Sequence, residues 1–360
     1  MPLRLRFLRL RVRPWLFAVT AASALVFASG TAIAGDSDGD EIPDEIEDAT
    51  ARTLDIVTFP KPPSPPFSLS VTSQSVGAEV DDKFRVRYEE GEFDVEYYPV
   101  ASSGRVAARY SLEIMNLVEW RDSVQNGAVD PGEVTPVLTL GSGGFGARPV
   151  EGWNASSADG GNVAGFRIRS NDGGVTLTLV VAQRFLRVAQ DKILTPMEVK
   201  LDLWANHTLS STEARVGLEL AVDTDDNMIF GGLPWDVRNR FSVDESWINV
   251  TGGPAGTPST VFFSWANEAT VNGTQGLTNM TVPEGAQGPY RMYMMYPAGL
   301  TREQTVYHVS TLGVVSQAFK DLIRPPVPLG DAVVFVSSFV AVATIVGASM
   351  ILAKRRRRKD

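Results

Sequence analysis

The chain has no cysteine and only two histidines in 360 residues. Without thiols it has no disulfide scaffold, thiolate zinc site, iron–sulfur cluster or cysteine nucleophile. His207 lies inside a glycosylation triplet and His308 stands between Tyr307 and Val309 on a predicted strand, with no second histidine at ligand spacing. No His-Glu-x-x-His and no Gly-x-Ser-x-Gly occurs, which removes the familiar zinc-protease and serine-hydrolase signatures. A repeating strand and helix pattern is also missing, which excludes a parallel α/β sheet. Gly141-Ser-Gly143-Gly-Phe-Gly146 has dinucleotide-type glycine spacing, but without a following helix it reads as a loop.

What is present is a folded composition, 44% apolar and 21% charged, with 42 acids against 33 bases. The bases crowd the ends: residues 1–34 carry five Arg and no acid, and 354–360 carry six Lys/Arg and one Asp. The stretch 35–353 therefore holds 41 acids against 22 bases. Such a body repels nucleic acid, so no nucleic-acid partner is expected, and it attracts divalent cations.

Arg-rich Met1 to Arg13, the apolar stretch Trp15 to Phe27 and Ala32-Ile33-Ala34 make 1–34 a predicted secretory signal peptide. Its uncleaved alternative is an anchor, since Trp15 to Ala34 contains no charge. Ala332 to Ala353 is a charge-free run of 22 residues, enough to cross a hydrocarbon core of roughly 30 Å as a helix. The basic tail 354–360 follows at once and predicts a cytoplasmic C-terminus, with the body outside. Five sequons agree with that placement: Asn154, Asn206, Asn249, Asn272 and Asn279. External sequons without cysteine lean towards an archaeal-like surface protein.

Prolines divide the rest. Pro60 to Pro66 reads as a stiff linker and 325–331, with Pro325, Pro326 and Pro328, as a juxtamembrane one. Between them, 67–324 shows period-two alternation: Phe84, Val86, Tyr88; Phe93, Val95, Tyr97; Val175, Leu177, Leu179, Val181; Val199, Leu201, Leu203; Val216, Leu218, Leu220, Val222. Alternation puts one face of each strand in a core. With turn signals at Glu90-Gly91, Asn126-Gly127, Asn171 to Gly174 and Asn272-Gly273, the expected fold is an all-β antiparallel β-sandwich. Periodicity leaves open one large sandwich or two, divided near 191–196. Tyr290, Met292, Met294 and Tyr296 are predicted core.

The most specific chemical signal is Asp36-Ser37-Asp38-Gly39-Asp40-Glu41-Ile42-Pro43-Asp44-Glu45-Ile46-Glu47. Carboxylates at positions 1, 3, 5, 9 and 12, with the Ile42 carbonyl at 7, give the oxygen spacing of a calcium loop. Calcium relieves the repulsion among them, and Pro43 then starts a helix through about Leu54 within an acidic segment 35–59. This stretch resembles the aspartate-rich calcium repeats of the thrombospondin type 3 class, as a single copy of 12 residues with Glu41 where that class has glycine. The resemblance implies calcium held by Asp36, Asp38, Asp40, Ile42, Asp44 and Glu47. A weaker loop, Asp122, Asn126, Asp130 and Glu133, has glycine at position 6 but Val124 at position 3, and a plain turn competes with calcium there. Asp223, Asp225, Asp226 and Asn227 read as a solvated loop.

These features predict a membrane-anchored, calcium-binding surface protein with a structural, adhesive or recognition role, not an enzyme. Its expected partners are the bilayer through 332–353 and envelope proteins or glycans. One alternative is a surface carbohydrate-active hydrolase using paired carboxylates, with Trp153, Trp235, Trp247 or Trp265 stacking on sugar. Another is an accessory subunit of a membrane complex.

Overall fold

The computed structural model describes residues 44–60, 67–75, 82–99, 105–126, 129–146, 148–157, 160–189, 192–230, 245–253, 259–281 and 289–315. The predicted signal peptide 1–34, residues 36–43, the stretch 325–331, the predicted span 332–353 and the basic tail lie outside this set. Among the described residues no helix is long and apolar enough to cross a membrane.

The described residues form nearly all-antiparallel β-sheet within one compact unit. Strands are numbered in chain order. The first sheet runs β1 (Arg52–Pro60), β2 (Phe67–Ser75), β3 (Lys83–Glu89), β4 (Glu92–Tyr98), β5 (Ala108–Trp120), β13 (Arg215–Asp223), β20 (Tyr290–Met295) and β19 (Asn279–Thr281), with β6 (Val134–Thr139) also on β5. The second runs β14 (Asn227–Phe230), β15 (Glu245–Gly252), β16 (Ser259–Ala266), β21 (Glu303–Val315), β12 (Glu198–Thr208), β9 (Val175–Ala182), β8 (Asn162–Arg169) and β7 (Glu151–Ser156). A short hairpin, β17 (Glu268–Val271) and β18 (Thr274–Leu277), joins β21 through β17, and β10 (Leu186–Ala189) pairs with β11 (Lys192–Leu194) apart from both sheets.

Strands before and after 191–196 pair directly, β5 with β13 in one sheet and β9 with β12 in the other. A division at 191–196 would cut both sheets, so this is one sandwich. Its interior is one cluster, in which Phe84, Val86, Phe93, Val95, Leu112 and Leu220 share a core with Leu177, Leu201, Leu203 and Phe262. The two sheets meet where β4 and β5 pack on β15, β16 and β21, and the buried Tyr110 hydroxyl donates across that layer to the Phe262 carbonyl at 2.7 Å. Every residue of the five alternating runs named above is buried. Met292, Met294 and Tyr296 are buried as expected while Tyr290, at the start of β20, is only half-buried; Tyr293 and Met295 are buried too, because β20 also covers a second small core with Val118 and Trp120.

Turn chemistry sets the hairpins. Glu90 and Gly91 link β3 to β4 with φ of 52° and 95°, and Asn272 and Gly273 link β17 to β18 with φ of 51° and 81°. Two consecutive left-handed residues match the twist of paired strands, and asparagine or glycine reaches that region at least cost.

The N-terminal segment departs from expectation. The helix α1 covers Asp44–Thr50 and stops there; residues 52–60 are strand β1, paired with β2 along its whole length. Pro60 to Pro66 therefore connects two neighbouring strands and does not separate the acidic segment from the body. Pro60 sits at a strand end, where its missing N–H removes little from the ladder. Pairing with β2 supplies β1 with the hydrogen bonds that a longer helix would have made internally.

Candidate functional site

Within the predicted calcium loop, Asp36, Asp38, Asp40 and Ile42 lie outside the described residues, while Asp44 opens α1 and Glu47 lies inside it. Glu47 is fully buried and Asp44 half-buried. The helix is fixed to the body by an ion pair of 2.8 Å between Asp48 and Arg184, and the next strand by Arg52 N–H donating to the Gln183 carbonyl at 2.9 Å. Behind it stands a buried network. The Arg52 guanidinium donates to Asp82 Oδ1 at 2.7 Å and Ser73 Oγ at 2.8 Å. Tyr97 donates to Asp82 Oδ2 at 2.9 Å, and Ser73 to the Pro196 carbonyl at 2.7 Å.

The second loop is closed on itself. Glu133 accepts from the backbone N–H of Ser123 at 2.7 Å and of Val124 at 2.9 Å, from Ser123 Oγ at 2.5 Å and from Trp120 Nε1 at 3.3 Å. The Ser123 hydroxyl bond is the main reason its pKa falls below the ordinary glutamate range. Asn126 Nδ2 donates to Asp130 Oδ2 at 3.0 Å, and Asp122 Oδ1 accepts from Asn126 N–H at 3.0 Å. The sequence-predicted ligands thus hold a turn together. Among the described residues no group of three or more His, Asp and Glu gathers as a metal site would.

The third cluster clamps a loop onto β5: Asp225 pairs with Arg109 at 2.5 Å, Asp226 Oδ2 accepts from Arg109 N–H at 3.1 Å, and Thr224 donates to the Arg109 carbonyl at 2.7 Å. It borders a groove of about 330 Å³ on the outer face of β3, β4 and β5, with Arg87, Glu92, Asp94, Glu96 and Arg109 on its walls. Sequence reasoning missed this groove, whose only early sign is the alternation of charge along β4. Burial, then the neighbours Asp94 and Glu113, raises the Glu92 pKa. Burial raises that of Asp94, against the pull of Arg87. Tyr110 borders the groove, but its ring is buried and its hydroxyl is spent on Phe262.

His207 and Glu119 are 2.7 Å apart, and the same carboxylate accepts from Ser210 N–H at 2.9 Å and from the Ser210 hydroxyl. A nucleophilic triad places the imidazole between serine and acid; here the carboxylate stands between them, so the group is a structural clasp. Burial works against the charged form of Glu119, but the bonds from Ser210 and His207 outweigh it and lower its pKa. His308 is buried, 2.8 Å from the Ala266 carbonyl and edge-on to Tyr296. The glycine loop 141–146 is a set of turns whose Phe145 packs edge-on against Tyr88 in the core.

Of the tryptophans proposed for stacking, Trp247 and Trp265 are buried, Trp235 lies outside the described residues and Trp153 is exposed. Sequence reasoning missed Trp204, 46% exposed, whose ring lies 4.6 Å from that of Tyr307. The sequons separate in the same way. Asn154, Asn206, Asn272 and Asn279 are exposed, whereas Asn249 on β15 is buried at 6%. Asn272 Nδ2 already donates to Thr301 Oγ1 at 3.2 Å and to the Glu303 carbonyl at 2.9 Å. Comparison of the sequence with protein families and with curated proteins finds no match.

Proposed function

We propose that this chain is a cell-surface protein, held in the membrane by 332–353, whose acidic β-sandwich stands outside the cell and whose segment 36–47 binds calcium. Its role is structural, adhesive or recognitive and needs no catalysis. The observation that carries the calcium reading is the anchoring of α1: Glu47, the last residue of the predicted loop, is fully buried in the body, and Asp48 is tied to Arg184. The end of the acidic segment is thus fixed to the sandwich, and a cation that orders the loop stiffens the junction as well. Hard carboxylate and carbonyl oxygens suit calcium, which accepts six to eight of them. Calorimetric titration of the full chain in detergent tests this: the expected result is a binding heat that Asp36→Ala with Asp38→Ala abolishes. Equal heats from both proteins overturn it.

A second reading, hydrolysis by paired carboxylates, draws support from Glu92 and Asp94, whose pKa values rise at the groove. It predicts turnover of a surface glycan that Glu92→Gln removes. The pairing of Asp94 with Arg87 at 4.0 Å favours the first reading, since it offsets charge that such chemistry would use.

A further inference from the structure

The outer face of the second sheet carries an exposed tryptophan, Trp204, against a half-buried tyrosine, Tyr307, beside a sequon. Trp204 and Asn206 are two residues apart on β12, so their side chains leave the same face about 7 Å apart, and both are exposed. Directly across the β12–β21 ladder, Trp204 faces Tyr307 and Asn206 faces Thr305. The two rings lie 4.6 Å apart at 39°. Tyr307 is held in place by its hydroxyl, which donates to Asp202 Oδ1 at 3.1 Å, and Asp202 in turn is paired with Lys200 at 2.7 Å. Thr305 Oγ1 donates to Asn206 Oδ1 at 2.9 Å, which orients the amide and turns its Nδ2, the atom that carries an N-linked sugar, away from that bond. The triplet Asn206-His207-Thr208 supplies the acceptor sequence.

We propose that Asn206 is an N-glycosylated position whose first sugar packs its C–H face on the Trp204–Tyr307 ring pair. The other sequons lack this combination: Asn249 is buried, Asn272 spends its Nδ2 on two hydrogen bonds, and two residues before Asn154 and Asn279 stand Gly152 and Leu277 in place of an aromatic ring. A sugar ring has an apolar face of C–H groups and a rim of hydroxyls, and it covers exposed aromatic surface while keeping its own polar edge in water. The occupant is therefore built into the chain, reached through one side-chain amide, and needs no separate partner.

The inference rests on the external placement of the sandwich, and the test separates the two. Glycopeptide mapping of the full chain from its own membranes is expected to find a glycan on Asn206. Modification of Asn154 or Asn279 with Asn206 bare overturns this inference and leaves the external placement standing, as does no modification at any sequon; sequons all bare in a chain that protease cannot reach on intact cells overturn both. The packing is read from melting temperature. Thr208→Ala removes the acceptor sequence without touching Asn206, and is expected to lower the melting temperature by about 2–4 °C. In a Trp204→Ala background the same change is expected to move it by less than about 1 °C. An equal loss in both backgrounds overturns the stacking.

Discussion

Replacing Asp82 with alanine tests whether the N-terminal segment is an integral part of the sandwich. Arg52 and Asp82 are 4% and 1% exposed, and the guanidinium also donates to the carbonyls of Ser73 at 3.1 Å and Asp82 at 3.0 Å. Removing the carboxylate leaves a buried cation without its counter-charge and removes the hydrogen bond from Tyr97 to Asp82. Breaking a buried pair from one side costs about 3–5 kcal/mol. At about 2–4 °C per kcal/mol, that is a fall in melting temperature of roughly 6–20 °C. Circular dichroism of the full chain in detergent reads it directly. Arg52→Met with Asp82→Leu, which removes both charges, is expected to recover most of the loss, because no uncompensated charge remains. A melting temperature for Asp82→Ala within about 2 °C of wild type refutes the reasoning.

Three further outcomes follow from the geometry. Glu119 is more acidic in the folded chain than the usual glutamate value of about 4.3. Its stabilisation is complete above that value and is lost as the pH falls through the lower folded-state pKa. The stability gap to Glu119→Gln, about 1–3 kcal/mol at pH 7, should therefore shrink towards pH 3, and a gap independent of pH contradicts the clasp. Gly217→Ala is expected to cost about 1–3 kcal/mol by overpacking, since a Cβ there would lie 2.8 Å from the Met294 carbonyl and overlap the Met295 thioether; unchanged urea denaturation would contradict it. Asn249, buried between β14 and β16, should be bare in glycopeptide maps, and a glycan there would mean that the strand order is wrong.

The core was legible because its strands alternate. Val175, Leu177, Leu179 and Val181 occupy one face over a single run, and nothing in tertiary structure had to be known to see it. The register between distant strands was not legible. Trp204 and Tyr307 are separated by more than a hundred residues and meet only because β12 lies beside β21. Trp247 and Trp265 were candidates for sugar stacking only as exposed rings, although tryptophan is more often a core residue, and the packing of β15 and β16 on β5 buried both. At the N-terminus, Pro43 and the acids after it signal a helix start correctly. Its end carries no local signal, since neither a capping glycine nor a basic last turn is present, and the ladder with β2 decides where strand begins. The loop at Asp122 to Glu133 shows the converse: oxygen spacing alone does not distinguish a cation cage from a turn in which backbone N–H groups take the carboxylates.

The most direct measurement is limited proteolysis of intact cells, followed by immunoblotting for the C-terminal tail. If the sandwich faces outward, protease should reduce the full-length band to a short membrane-protected remnant that keeps the basic tail. A full-length band that survives on intact cells and disappears only after lysis would contradict the account.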